Sequence, residues 1–326
     1  MAGVLYLSRA GQRAPGGDAS GALMPPQATS LDAVRSGPYA TLRSTTQDGS
    51  FGRVVLAPLG QPEGGRFVSD LRCERVYYAA GQGICLQADR GVITTYQAVF
   101  FDAQLRPQQS VPLQGIPSRA RVSPDGRYAA MTVFVSGHSY ADGGFSTHTT
   151  IFDVASGAEL GELEQFAVYR EGERIQAPDF NFWGVTFARD SNRFFATLGT
   201  AGKTYLLEGD LQARRLRVLR EGVECPSLSP DNTRIAFKRL VSAGSRPVWQ
   251  VAVLDLATSQ ETVLPLETHS VDDQIEWLDD EQVVYGLPAE TATPSARTDV
   301  WALRVDGSAP PRLLLKGAWS PAIARA

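Results

Sequence analysis

Along most of the chain apolar and polar positions alternate over four to eight residues, and no stretch keeps a 3.6-residue apolar period. Alternation with a period of two predicts strands with one buried face, and the missing helical period predicts almost no helix. The alternating runs come in pairs around turn residues. Residues 119–131 place Pro124, Asp125 and Gly126 between two strand-like runs. Residues 182–197, 225–237 and 274–285 repeat the form around Asp190, Asp231 and Asp280, and 75–86 is a weaker copy around Gly81. Proline presets the first turn angle, aspartate bonds the backbone that follows it, and glycine or asparagine tolerates positive φ, so each copy predicts a β-hairpin.

Two further strand-like runs follow most hairpins, as in 149–154 with 158–163, 249–256 with 260–264, and 299–305 with 311–315. A sixth half-copy, 319–324, closes the sequence. The turn positions 81, 125, 190, 231, 280 and 326 lie 41 to 65 residues apart, close to the length of a four-stranded propeller blade. The last copy supplies one strand, and 39–44, 52–57 and 66–68 supply its missing partners. Joining both chain ends in one blade removes the open edges of a linear array. The expected fold is all-β: a six-bladed β-propeller over residues 38–326, with ring closure by combined N- and C-terminal strands. Residues 1–37, a short apolar run and then a Gly-, Pro- and Ala-rich stretch, are read as a tail or linker. Two readings of it stand: the remainder of a signal or membrane anchor, which would tether the domain, or a short strand or disordered tail.

The segments Ser-Pro-Asp-Gly-Arg-Tyr-Ala at 123–129 and Ser-Pro-Asp-Asn-Thr-Arg-Ile-Ala-Phe at 229–237 resemble the repeat of TolB-type propellers. These form the WD40-like, or PD40-repeat, family that also includes prolyl-peptidase propellers. The resemblance covers residues 40–326 and implies a TolB-like blade and a cell-envelope setting. It does not extend to TolB's separate N-terminal α/β domain, which has no counterpart in the short stretch before residue 38, nor to a hydrolase domain.

Composition narrows the function further. The chain is 43% hydrophobic and 20% charged with a net charge of −4, so no basic field recruits nucleic acid. No apolar run approaches the roughly 18 residues of a membrane helix. The segment Gly137-His138-Ser139-Tyr140-Ala141 is similar to the nucleophile elbow of serine hydrolases, but it sits in a polar, Gly-rich insertion with no helix after it, and reads as an exposed loop. His138, His148 and His269 show no metal-ligand spacing, so neither a metal nor another cofactor is expected. The three cysteines cannot all pair. With Gly81 and Gln82 as a turn centre, Cys73 and Cys85 lie too far apart along the hairpin for a disulfide unless the chain bends ahead of the strand; bridged and free thiols both remain open.

Counting four residues back from the last apolar residue of each first strand gives Glu74, Ser118, Trp183, Glu224, Asp273 and Trp319. Equal offsets from equivalent turns put residues at equal heights, so these six are expected to ring the channel mouth where the innermost strands begin, with Asp179, Asn181 and Asp272 nearby. Carboxylates and tryptophan faces both attract cations, which suits a cationic or amphipathic protein or peptide. The acids could instead pair with Arg72, Arg75, Arg119 and Arg121, or hold Ca²⁺. The insertions 136–147 and 165–180 offer further binding loops. The sequence is therefore read as a non-catalytic, monomeric, extracytoplasmic scaffold that presents a protein- or peptide-binding surface at the channel mouth and blade loops. The alternative on the same fold is a metal-dependent hydrolase or lactonase with an axial divalent cation.

Overall fold

The computed structural model describes residues 30–61, 64–135, 146–243, 247–290 and 297–325. The N-terminal apolar run and the 137–141 segment with His138 lie outside the described residues. Six mainly antiparallel sheets form a ring of blades, each ordered from its innermost strand outwards. The first is composite: β26 (Ala318–Ala324), β1 (Tyr39–Ser44), β2 (Arg53–Pro58) and β3 (Phe67–Arg72). The second holds β4 (Arg75–Ala79), β5 (Gln82–Arg90), β6 (Thr94–Phe101) and β7 (Pro107–Leu113), and the third β8 (Ile116–Val122), β9 (Tyr128–Val135), β10 (Ser146–Asp153) and β11 (Glu159–Glu162). The fourth runs β14 (Asn181–Phe187), β15 (Arg193–Thr200), β16 (Lys203–Asp210) and β17 (Arg215–Glu221), extended by β12 (Ala167–Arg170) and β13 (Glu173–Ile175). The fifth is β18 (Glu224–Leu228), β19 (Arg234–Ser242), β20 (Val248–Asp255) and β21 (Glu261–Val263); the sixth is β22 (Glu276–Trp277), β23 (Gln282–Pro288), β24 (Thr298–Arg304) and β25 (Arg312–Leu315).

The ring closes as the sequence predicts. Tyr39 pairs with Ala324, Ala40 with Ile323 and Ser44 with Ala318. The hairpin turns work as their residues dictate. Ser123 and Asp125 bond at 2.6 Å, the Arg127 N–H reaches Asp125 at 3.0 Å, and Gly126 takes the left-handed conformation at φ 76°. Asp231 and Asn232 (φ 64°) reproduce this in the fifth blade. Six apolar clusters hold the blades together, one at each junction between neighbours. The cluster of Phe166, Phe182, Phe187 and Phe194 joins the third and fourth blades, and that of Ile235, Phe237, Phe195 and Leu206 the fourth and fifth. Burying each such side chain contributes about 1.5–3 kcal/mol, so stability is spread around the ring.

Three details differ from the sequence reading. First, the weak turn of the second blade is centred on Ala80 and Gly81, both at positive φ, with Ala79 paired to Gln82. Cys85 therefore faces Val76. The chain bends ahead of β4, where the Cys73 N–H bonds Gly52 of the first blade, and the Cα atoms of Cys73 and Cys85 come to 5.3 Å and carry a disulfide. Second, the 165–180 segment is not a plain loop. A short 3₁₀ turn, Leu163–Gln165, leads into the β12–β13 hairpin, and β12 docks parallel on β17. Phe166 and Val168 are buried in the process, and the β17 edge is covered. Third, packing begins inside the stretch read as linker. Leu31–Val34 forms a single helical turn, α1, Val34 is buried, and the Arg35 guanidinium lies 5.5 Å from the rings of both Tyr39 and Tyr78.

Candidate functional site

The innermost strands define a start end, where they enter the channel, and a turn end, where they leave it in the Pro-Asp-Gly-type turns. A β-bulge follows the expected mouth layer: Gly184, Cys225 and Ser320 all take positive φ, directly after Trp183, Glu224 and Trp319. Pairing registers shift at these positions, which re-aims the side chains around them.

At the start end the structure brings only part of the expected layer together. Asp273 is buried and accepts from Arg75 at 2.9 Å, and the same guanidinium lies 4.9 Å from the Trp319 ring. Glu224 is buried 3.3 Å from Lys238, whose ammonium donates to Asp272 at 2.6 Å and lies 4.6 Å from the Trp249 ring. Burial works against the charge of Asp272, yet Lys238, Arg119 and Arg75 outweigh it and hold its carboxyl below the usual range. Arg75, Arg119 and Lys238 thus face Glu224, Asp272 and Asp273, three charges of each sign. Glu74 stands apart, paired with Arg90 at 2.7 Å and Arg43 at 3.7 Å. Ser118 is buried, and Trp183 is buried with its ring against Gly199, where a Cβ would come within 2.7 Å. Asp179 and Asn181 serve local structure: Asp179 caps the Thr200–Ala201 turn and Asn181 accepts from Thr147. Of the four arginines weighed as partners for the acids, Arg75 and Arg121 pair with carboxylates, whereas Arg72 donates to the Phe51 carbonyl.

Three residues further along the innermost strands lies a second layer: Tyr77, Arg121, Thr186, Ser227 and Glu276. Arg121 is buried, ion-paired to Glu276, bonded to Ser227 at 3.3 Å and to the Ile275 carbonyl at 3.1 Å, and stacked 4.6 Å from the Tyr77 ring. Tyr77 donates to Glu276 at 3.0 Å, and burial pushes its hydroxyl up to about 12 despite the lowering pull of Arg121. Between the two layers only about 10 Å³ is free, room for a single water. Sequence reasoning missed this layer, although the same alignment read three positions on would have found it. Counting by two fails there because each bulge adds a residue.

Beyond the second layer the channel opens at the turn end into a funnel of about 490 Å³. Tyr39, Tyr78 and Phe187 give it aromatic walls, and Arg189, Asn232 and Arg325 bring polar groups to it. Among the described residues no group of three or more His, Cys, Asp or Glu side chains converges as a metal would need.

No family model matches the chain, and no curated protein does. Solved structures do resemble it. TolB from Acinetobacter baumannii superposes with a TM-score of 0.60 at 16% identity, over 89% of this chain and 67% of that one. A nidogen/laminin complex gives 0.57 at 10% identity, over 88% and 98%. A puromycin-hydrolyzing peptidase of Mycobacterium tuberculosis gives 0.51 at 13% identity, over 86% and 45%. At such identities the likeness speaks for architecture alone, and in architecture this chain is a TolB-like six-bladed β-propeller.

Proposed function

We propose that this propeller is a non-catalytic scaffold that works outside the cytoplasm and receives a protein or peptide at the turn end of its channel. One observation carries the reading: the channel is filled by two ion-paired layers and then opens, at one end, into a funnel lined by aromatic and polar side chains. Concave sites with a few convergent polar groups are where ligands bind. The charged side chains of the two layers are committed to one another, which leaves no base of the layers poised for a substrate among the described residues. The Cys73–Cys85 bridge fits an oxidising compartment.

The mouth of Glu74, Ser118, Trp183, Glu224, Asp273 and Trp319 supports a cationic partner less well. Its carboxylates are already paired with cations of the chain, and four of its members, Ser118, Trp183, Glu224 and Asp273, are buried. The test is capture from the native envelope with the full chain as bait beside an Ala324→Trp bait, which blocks the funnel. The capture of a partner by wild type and its loss with the blocked bait is the expected result. Capture that ignores the block would move the site elsewhere. Turnover of a lactone or ester panel that a chelator abolishes would replace the scaffold with the metal-dependent hydrolase.

A further inference from the structure

The hydrogen-bonding groups of the funnel are unequally spent. Its carboxylate, its side-chain amide and the Pro230 carbonyl are occupied. The Glu276 carboxylate takes Tyr77, Arg121 and, at 3.5 Å, Arg325. The Asn232 side-chain oxygen takes the Arg189 N–H at 2.8 Å, and the Pro230 carbonyl takes both Arg189 Nη2 and Asn232 Nδ2. Ser229 Oγ donates to Asp231 and accepts from the Arg234 N–H. Donors are left over. Arg325 uses Nη2 on the Trp277 carbonyl and Glu276, and its Nε and Nη1 find no partner among the described residues. Arg189 likewise uses its main chain and Nη2 alone. The hydroxyls of Ser227 and Thr186 each accept a bond, from Arg121 and from the Leu228 N–H, and keep their own protons to give.

Charge runs the same way. Arg121, Arg189 and Arg325 line the funnel against one carboxylate, Glu276, already engaged by two of them. The turn acids of the rim are engaged by main-chain and hydroxyl donors: Asp125 accepts from Ser123 and the Arg127 N–H, Asp190 from the Asn192 and Arg193 N–H groups, Asp231 from Ser229 and the Thr233 N–H, and Asp280 from the Asp231 N–H of the neighbouring blade. They lie in solvent, as Arg189 and Arg325 do, so screening acts on both signs and it is the unspent donors of the two arginines that set the wall apart. A wall with surplus N–H and O–H donors and surplus positive charge is complementary to carboxylates, and a guanidinium fork can take a carboxylate through two parallel bonds.

We propose that the funnel receives an acidic segment of a protein partner, its carboxylates held by Arg189 and Arg325. This rests on the scaffold reading and reverses the sign of partner that the sequence alone suggests. The experiment is selection of a displayed library of random 12-residue peptides on the immobilised full chain, followed by anisotropy titration of the enriched peptides. The enriched pool is expected to be rich in Asp and Glu. Its binding should fall about tenfold or more in Arg189→Gln/Arg325→Gln and again as salt rises, and should be partly kept in Arg189→Lys/Arg325→Lys, which preserves charge without the fork. A melting curve checks that each variant retains the ring. Enriched peptides that need an open funnel but are neutral or basic would overturn the acidic assignment and leave the scaffold standing. A selection yielding no peptide that Ala324→Trp weakens would overturn both.

Discussion

The two ends of one channel are built from the same six strands and behave as opposites. At the start end, Arg75, Arg119 and Lys238 meet Glu224, Asp272 and Asp273, and Trp319 and Trp249 lie against the cations. Charge is balanced there and little surface remains. At the turn end a cavity of about 490 Å³ keeps unpaired arginine nitrogens. The difference lies in where opposite charges fall on neighbouring strands. Buried ions survive only when paired and hydrogen-bonded, so a balanced set seals its own end. An unbalanced set must stay open to solvent or meet a ligand. A carboxylate-rich mouth in the sequence is for that reason a weak sign of a binding site until its counter-charges have been located.

The largest expected effect comes from removing what the two ends share. Deleting residues 318–326 takes Trp319 from one end and Arg325 from the other and leaves β1 without its inner partner. The loss should exceed the usual stability of about 5–15 kcal/mol, and circular dichroism should show no cooperative melt; a truncated chain that melts within a degree or two of the full one would break the account of closure. Next come the layers themselves. Glu276→Ala strands the buried Arg121 and should cost about 3–5 kcal/mol in urea unfolding. Asp273→Ala should cost less, because Arg75 keeps the Trp319 ring and the start end retains Glu224 and Asp272. The reverse order would mean that the start end, not the second layer, is the structural plug. Smaller again, replacing both Cys73 and Cys85 by serine should cost about 2–3 kcal/mol for a closed loop of this size. The opening should be localised by hydrogen exchange to the start of β4 and the end of β3.

Acidity separates the ends without any mutation. At the turn end, Asp102, Asp153, Asp210 and Asp255, one in each of four outer hairpins, are held below the usual carboxylate range. For Asp153, Asp210 and Asp255 the main cause is hydrogen bonds from the turn that follows, and for Asp102 such bonds outweigh the opposing effect of burial. A depressed pKa contributes stability above the unfolded value of about 4 and loses it as pH falls through the folded one, so these turns should loosen only in strong acid. At the start end, burial pushes Glu164 up to about 8, and the bond to Glu267, with Glu290 also near, raises His269. Both bind protons more tightly folded than unfolded. Their contribution is present at low pH and fades as pH rises, between about 4.5 and 8 for Glu164 and above about 6.5 for His269. Exchange measured from pH 5 to 9 should therefore change around 162–165 and 267–290 and stay flat at the outer hairpins; the opposite pattern would undo the contrast. The smallest effect is Arg189→Gln, an exposed funnel residue, expected within about 0.5 kcal/mol of wild type in stability while acidic peptides lose affinity.

Much of this is legible in the sequence. Pro124-Asp125-Gly126 and Pro230-Asp231-Asn232 fix their turns by chemistry carried within a few residues, and 319–324 repeats the first-strand pattern whose missing partners 39–44, 52–57 and 66–68 supply. The equivalence of three strands is legible too: Trp183, Glu224 and Trp319 each precede a positive-φ residue, Gly184, Cys225 and Ser320. Their neutralisation is not legible. Asp273 meets Arg75 across 198 residues and Glu276 meets Arg121 across 155, and a single sequence does not say which arginine of the 28 on offer arrives.

The sequence by itself determined the strands, the turns, the blade count and the ring closure, because each rests on local backbone preference or on a period repeated along the chain. Only the tertiary structure decided the Cys73–Cys85 bridge, the β12–β13 addition, the second layer and which end of the channel stays open. Each of these depends on a one-residue shift, a bend or a bulge, combined with contacts between blades that are far apart in sequence. A period-two count carries neither the extra residue nor the partner.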